Sequence, residues 1–295
     1  ENENLPGYVV LCPGRPVRFS VLWTSAFLPA EHQGTYINHK SLDPKQMIPY
    51  LRNTNLDRPT QARQLALMRK VNRRHLVRRG EDPLLAARLK SMETAFRMQF
   101  AATDAFDLSR ERKSVREAYG TREFGNGCLL ARRLVERGVR FVQLYYGNGQ
   151  PWDTHHSHNA RAASLCRDID RPIAALLDDL ARSGLLEDTL VVWGGEFGRT
   201  PTTDLTEGKG TDGRDHNHYG FTMWLAGGGV KGGQAHGATD DFGFQAVTDK
   251  VHVHDLHATI LHQMGLDHER LTYRYAGRDF RLTDVHGNVV RELLE

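Results

Sequence analysis

The feature that most narrows the fold is a recurring pattern of short apolar runs, each closed by glycine and separated from the next by helical periodicity. Tyr8-Val9-Val10-Leu11-Cys12 is one such run, stopped by Pro13-Gly14, and residues 139–146 form another, stopped by Gly147. Residues 189–193 and 221–226 follow, the last closed by Gly227-Gly228-Gly229. Runs that are apolar throughout read as strands covered on both faces. Between them, residues 124–137 read as a helix. So do residues 160–183, with Leu165, Ile169, Ile173, Leu176, Leu177 and Leu180 turned inward. Pro172 should bend or split that second helix. Asp255 is expected to cap a further helix to Met264. Covered strands joined by helices predict an α/β fold with a parallel or mixed sheet, whose ligands sit at the carboxyl ends of the strands.

A helical block interrupts this pattern. Residues 15–56 read as irregular. Residues 60–79 then carry Leu65, Met68, Val71 or Asn72, and Leu76 near helical spacing, and Asp82-Pro83 opens a second helix. Much of the basic surplus lies here. Residues 1–140 hold 25 Lys+Arg against 14 Asp+Glu, whereas residues 141–295 hold 14 against 22. Residues 60–90 contain no aromatic side chain to stack on bases, so the arginines read as a solvated helical face and no nucleic-acid partner is expected. Three widely spaced cysteines exclude a thiolate zinc site, and no apolar run approaches the ~18 residues of a membrane span. No oligomeric state follows from the sequence.

Twelve of the fifteen histidines lie in the acidic second half, and they gather where strands end. One cluster is Asp153-Thr154-His155-His156-Ser157-His158, and a second is Glu196-Phe197-Gly198-Arg199. A third is Gly213-Arg214-Asp215-His216-Asn217-His218. Carboxylate and imidazole together suit zinc, manganese or iron. Asp153, His155, Glu196, Asp215, His216 and His218 are the candidate ligands, with Arg199 placed to contact an anionic substrate oxygen. His252, His254 and His257 form a fourth cluster, with His252 and His254 on one strand face. Together with His158, these are read as residues supporting the ligands.

The stretch 190–201, then Gly213-Arg214-Asp215-His216, Trp224–Gly229 and His252–His262 resemble the bacterial sulfatase-related family catalogued as domain of unknown function 1501. The resemblance covers nearly the whole chain. It implies a place in the alkaline phosphatase and sulfatase superfamily, and so a three-layer α/β/α sandwich with a mostly parallel central sheet and an added helical segment. It further implies one or two divalent ions, zinc first, with manganese, iron, calcium or magnesium as alternatives. By that comparison Glu196 replaces a metal-binding Asp, and Phe197 stands where a His ligand is usual. Asp153 with His155 supplies the other metal position, and His216 or His218 the late histidine. The superfamily's nucleophile and the family's usual leader and Gly-Gly-Pro-Ser segment are not found in this chain. The expectation is therefore one domain over residues 1–295 lacking its N-terminal part, with a helical insertion about 57–120 and a metal-site core about 139–286. Cys12-Pro13-Gly14-Arg15 is similar to a formylglycine motif, but its Pro and Arg each fall one residue early, so Cys12 reads as a buried thiol.

The function expected is metal-dependent hydrolysis of phosphate or sulfate esters, on a small anionic ester or a sulfated or phosphorylated glycan. The resemblance implies a periplasmic or secreted protein. The alternative is a metal- and anion- or glycan-binding protein on the same scaffold without turnover.

Overall fold

The computed structural model describes residues 2–16, 19–26, 28–29, 32–48, 53–80, 82–204 and 212–295. The chain forms two compact units, Glu1–Gln150 with Ile169–Leu176, and Pro151–Asp168 with Leu177–Glu295.

In the first unit β1 (Tyr8–Cys12) lies between β2 (Thr35–Asn38) and a third parallel strand, β3 (Phe141–Leu144), added later in the chain. Helices α1 (Pro44–Met47), α2 (Arg58–Arg79), α3 (Pro83–Ala105), α4 (Lys113–Tyr119) and α5 (Glu123–Glu136) come between β2 and β3. Central placement explains the apolar run: Val9, Val10, Leu11 and Cys12 are wholly buried. Val9 and Leu11 join Ile37, Phe106, Tyr119, Leu129, Leu130 and Leu134 in the core. β2 corrects the expectation that residues 15–56 are irregular. Its four residues carry one buried aliphatic, Ile37, too weak a pattern to show in the sequence. Just past β2, burial holds the His39 imidazole down at about 4, so the ring is neutral. Gly127 of α5 leaves room for it, since a Cβ there would stand 3.0 Å from its Nε2.

Local signals set the helix starts. The carboxylate of Asp57 accepts the Thr60 N–H at 2.9 Å, and that of Asp82 accepts the Leu85 N–H at 3.0 Å. Arg133, almost fully buried, then ties α5 to the end of α3. Its Nε donates to the Ala105 carbonyl at 3.0 Å, and a terminal nitrogen donates to that of Asp104 at 2.6 Å. Glu111 sits between Arg133 and Arg132, 2.9 Å from the latter.

The second unit contains most of α6 (His158–Arg182), which continues through Pro172 as one helix and so is not split. Then come β4 (Val191–Trp193), β5 (Gly198–Thr203), β6 (Arg214–Asn217), β7 (Trp224–Ala226), β8 (Ala238–Thr239) and β9 (Ala246–Thr248). Helix α7 (Val253–Gln263) and the hairpin of β10 (Thr272–Tyr275) with β11 (Arg278–Arg281) follow. Here β4 pairs with β7, β5 with β6, β8 with β9 and β10 with β11, all antiparallel. The fold is mixed α/β, with seven α-helices among the described residues. At the start of α7 the expected strand His252–His254 is instead a helix cap. His252 is the N-cap residue, its ring accepts the His254 N–H, and Asp255 accepts the His252 N–H in a reciprocal capping box.

Glu111 offers a stability test. Burial works to raise its carboxyl, but hydrogen bonds and charge from Arg133 and Arg132 outweigh burial and hold it below the usual carboxylate range. A lowered folded-state pKa stabilises above the unfolded value of about 4.3 and loses that contribution as pH falls through the folded one. Glu111→Gln should cost about 3 kcal/mol at neutral pH by removing the carboxylate that Arg133 and Arg132 share. Denaturant unfolding should show the gap between parent and variant closing in acid.

Candidate metal centre

The centre is assembled in the second unit by the loop before α6 and the β5–β6 hairpin. Antiparallel pairing sets Arg199 opposite His216. The loop 151–157 is fastened to the same hairpin by the Arg214 N–H, which donates to the Thr154 carbonyl at 3.1 Å. Gly213 makes that approach possible, because a Cβ there would lie 1.8 Å from the His155 carbonyl oxygen. On the other side Trp152 packs edge-on against Trp193, which stacks on Trp224 across β4 and β7. Phe197 packs tilted against the His216 ring, with centroids 4.4 Å apart.

Three donor atoms converge. Oδ1 of Asp153 is 3.1 Å from Nε2 of His155 and 2.9 Å from Nε2 of His216, and the two nitrogens are 3.2 Å apart. Ligand atoms around a tetrahedral ion at bond lengths of about 2.0–2.1 Å are about 3.3 Å from one another, so the donor set fits a small divalent cation. Asp153, His155 and His216 form one candidate metal-binding group, and His155, Asp204 and Asp215 form another that shares His155.

Asp204 was not anticipated. Its carboxylate, almost fully buried, sits 2.9 Å from Nδ1 of His155. A carboxylate there demands an N–H, so the neutral ring carries its proton on Nδ1 and directs the Nε2 lone pair at the centre. The hydrogen bond with Asp204 comes first among the causes that raise the His155 pKa; burial opposes it and the Asp153 charge adds to it. Asp204 lies one residue beyond β5, in a stretch with no histidine neighbour in the sequence, so no local motif marks it. Asp153 is the converse case: burial works to raise its carboxyl, and Arg199 and His216 hold it down at about 2. Arg199 donates to Asp153 and, through its other terminal nitrogen, to the Arg214 carbonyl at 3.2 Å. As it stands, this guanidinium neutralises a ligand carboxylate.

The remaining expected residues fall as follows. Asp215 accepts the His216 N–H at 2.7 Å. Glu196 and His218 are exposed and stand outside both groups, His218 lying against Tyr219. His158 shares a 2.6 Å hydrogen bond with Thr154, which braces the loop of Asp153 and His155 from α6. His254 stacks on His286 and neighbours His252 at the head of α7, and burial pushes His257 down. Cys12 is buried in the first unit, and burial ahead of the Glu123 charge pushes its thiol up to about 12, as expected of an inert thiol.

The chain belongs to the family described as Protein of unknown function (DUF1501), whose model matches residues 1–294. The truncation expected of the chain finds no support in that match, which spans the given sequence. The placement within the alkaline phosphatase and sulfatase superfamily is withdrawn as well, because the family is described only as being of unknown function. No curated protein and no solved structure matches the chain.

Gly213→Ala should lower stability by about 2 kcal/mol or more by forcing the His155 loop off the hairpin. Gly232→Ala, where a Cβ meets nothing within 4 Å, should stay within about 0.5 kcal/mol of the parent in the same denaturant titration.

Proposed function

We propose that this chain is a metal-dependent hydrolase of phosphate or sulfate esters, with Asp153, His155 and His216 holding a divalent cation. The observation that carries the reading is the convergence of those three donor atoms in front of the buried Asp204. Two imidazoles and a carboxylate favour zinc, then manganese or iron, over the oxygen-seeking calcium and magnesium. Such a cation polarises the ester's nonbridging oxygens and makes water a nucleophile at neutral pH. The protein's part is to hold charge and protons in place. Asp204 keeps the His155 proton on Nδ1, and Arg199 keeps Asp153 ionised, with further N–H donors for an anionic oxygen. Asp215, beside His216, is the carboxylate positioned to accept the proton that the attacking water gives up. Under the same reading the strands belong to a three-layer α/β/α sandwich, for which the parallel order β2-β1-β3 speaks.

The engagement of Arg199 with Asp153 and the Arg214 carbonyl favours a second reading, a metal- and anion- or glycan-binding protein without turnover. One set of measurements separates the two. Purified full-length chain should contain about one divalent ion, which His155→Ala or His216→Ala removes and Asp204→Asn binds about 10–100-fold more weakly. Turnover of 4-nitrophenyl phosphate or sulfate that is lost on chelation and restored by zinc supports the hydrolase. Tight metal binding without turnover of either ester supports the binding protein, and a chain that takes up no metal contradicts both.

A further inference from the structure

Helix α2 carries eight Lys and Arg and no Asp or Glu in its 22 residues. Its covered stripe is narrow. Leu65, Met68, Asn72 and Leu76 are half-buried at intervals of three or four residues, and Arg69 beside them pairs with Glu93 of α3. At about 100° per residue, the opposite face presents Leu67, Lys70, Val71, Arg74, Val77 and Arg78 together. Leu67 is 62%, Val71 54% and Val77 83% exposed. Among the described residues, Lys70, Arg74 and Arg78 have no acidic partner.

Neither half of this face is needed for folding. The helix already buries its stripe, the aliphatic side chains gain nothing from water, and adjacent cations repel one another. A partner for this face must offer negative charge and an apolar layer at the same depth. Nucleic acid offers the charge but no apolar layer, and α2 has no Phe, Tyr or Trp to stack on bases. An anionic phospholipid surface offers both, with headgroup phosphates for the cations and the acyl boundary for the aliphatics. No helix of the described residues is long and apolar enough to cross a membrane, so any such binding by α2 is peripheral. We propose that the outer face of α2 docks on an anionic lipid surface, Lys70, Arg74 and Arg78 meeting phosphates while Leu67, Val71 and Val77 enter the headgroup boundary.

The test is co-sedimentation of the full chain with phosphatidylcholine vesicles, with and without phosphatidylglycerol, at low and high salt. Binding should require phosphatidylglycerol and weaken as salt screens it. The triple variant K70E/R74E/R78E should bind at least about tenfold more weakly. V71S/V77S should bind more weakly while keeping the salt dependence. All five positions are exposed, and an unchanged circular-dichroism melt shows that the variants fold. Equal binding to both vesicle types, or a triple variant that binds like the parent, overturns the proposal. So does binding to duplex DNA or an acidic polypeptide without binding to vesicles, which would assign the face to another polyanion. Metal content is unaffected in every arm, so this result stands apart from that at the candidate centre.

Discussion

The buried carboxylate of Asp204 against Nδ1 of His155 is the contact from which the rest of the centre follows. A carboxylate removed from water needs a donor at close range, and the imidazole supplies one at 2.9 Å. That bond holds the ring so that Nε2 faces the side where Asp153 and His216 lie. Asp204 is itself fixed, since its backbone N–H donates to the Gly213 carbonyl at 2.8 Å. Gly213 is in turn the residue whose missing side chain lets the His155 loop press against the hairpin. Tautomer, loop position and hairpin closure are therefore one constraint.

Charge is balanced in a similar way in both units. In the second, Asp153 faces the Arg199 guanidinium and two imidazole nitrogens, partners that a cation would compete with. In the first, Glu111 lies between Arg132 and Arg133 in a closed arrangement that joins α5 to the end of α3. The first cluster is half-exposed and built from loops and a hairpin; the second is buried among helices. Half-exposed clusters on loops are where ligands are met, and buried ones between helices are where packing is held.

The sequence showed whatever a single element encodes. β1 matches its apolar run residue for residue, because a central parallel strand is apolar on both faces. α3 starts where Asp82-Pro83 places it, whereas α2 starts at Arg58, two residues before the expected start, on an Asp57 cap that was not anticipated. Asp153, His155 and His216 were all in view, since each stands in a cluster of ligand-type residues. What was not visible came from pairing between distant segments. Asp204 lies 49 residues from its histidine and Gly213 lies 58 from His155, so neither role leaves a local trace. Glu196 and His218 show the reverse error of locality: they neighbour the right residues in sequence, but the turn and the strand end direct them away. Asp255 was placed at the right helix start, but the N-cap is His252 and Asp255 completes its capping box, because a histidine N-cap is a rarer signal than an aspartate one.

The central claim is that two imidazoles and one carboxylate hold a divalent cation. X-ray absorption at the zinc edge of zinc-loaded, full-length chain tests it most directly. The account predicts a first shell of nitrogen and oxygen at about 2.0–2.1 Å with the outer-ring scattering of two histidines, one of which is lost in His216→Ala. A shell without imidazole scattering, or one unchanged in that variant, would contradict it.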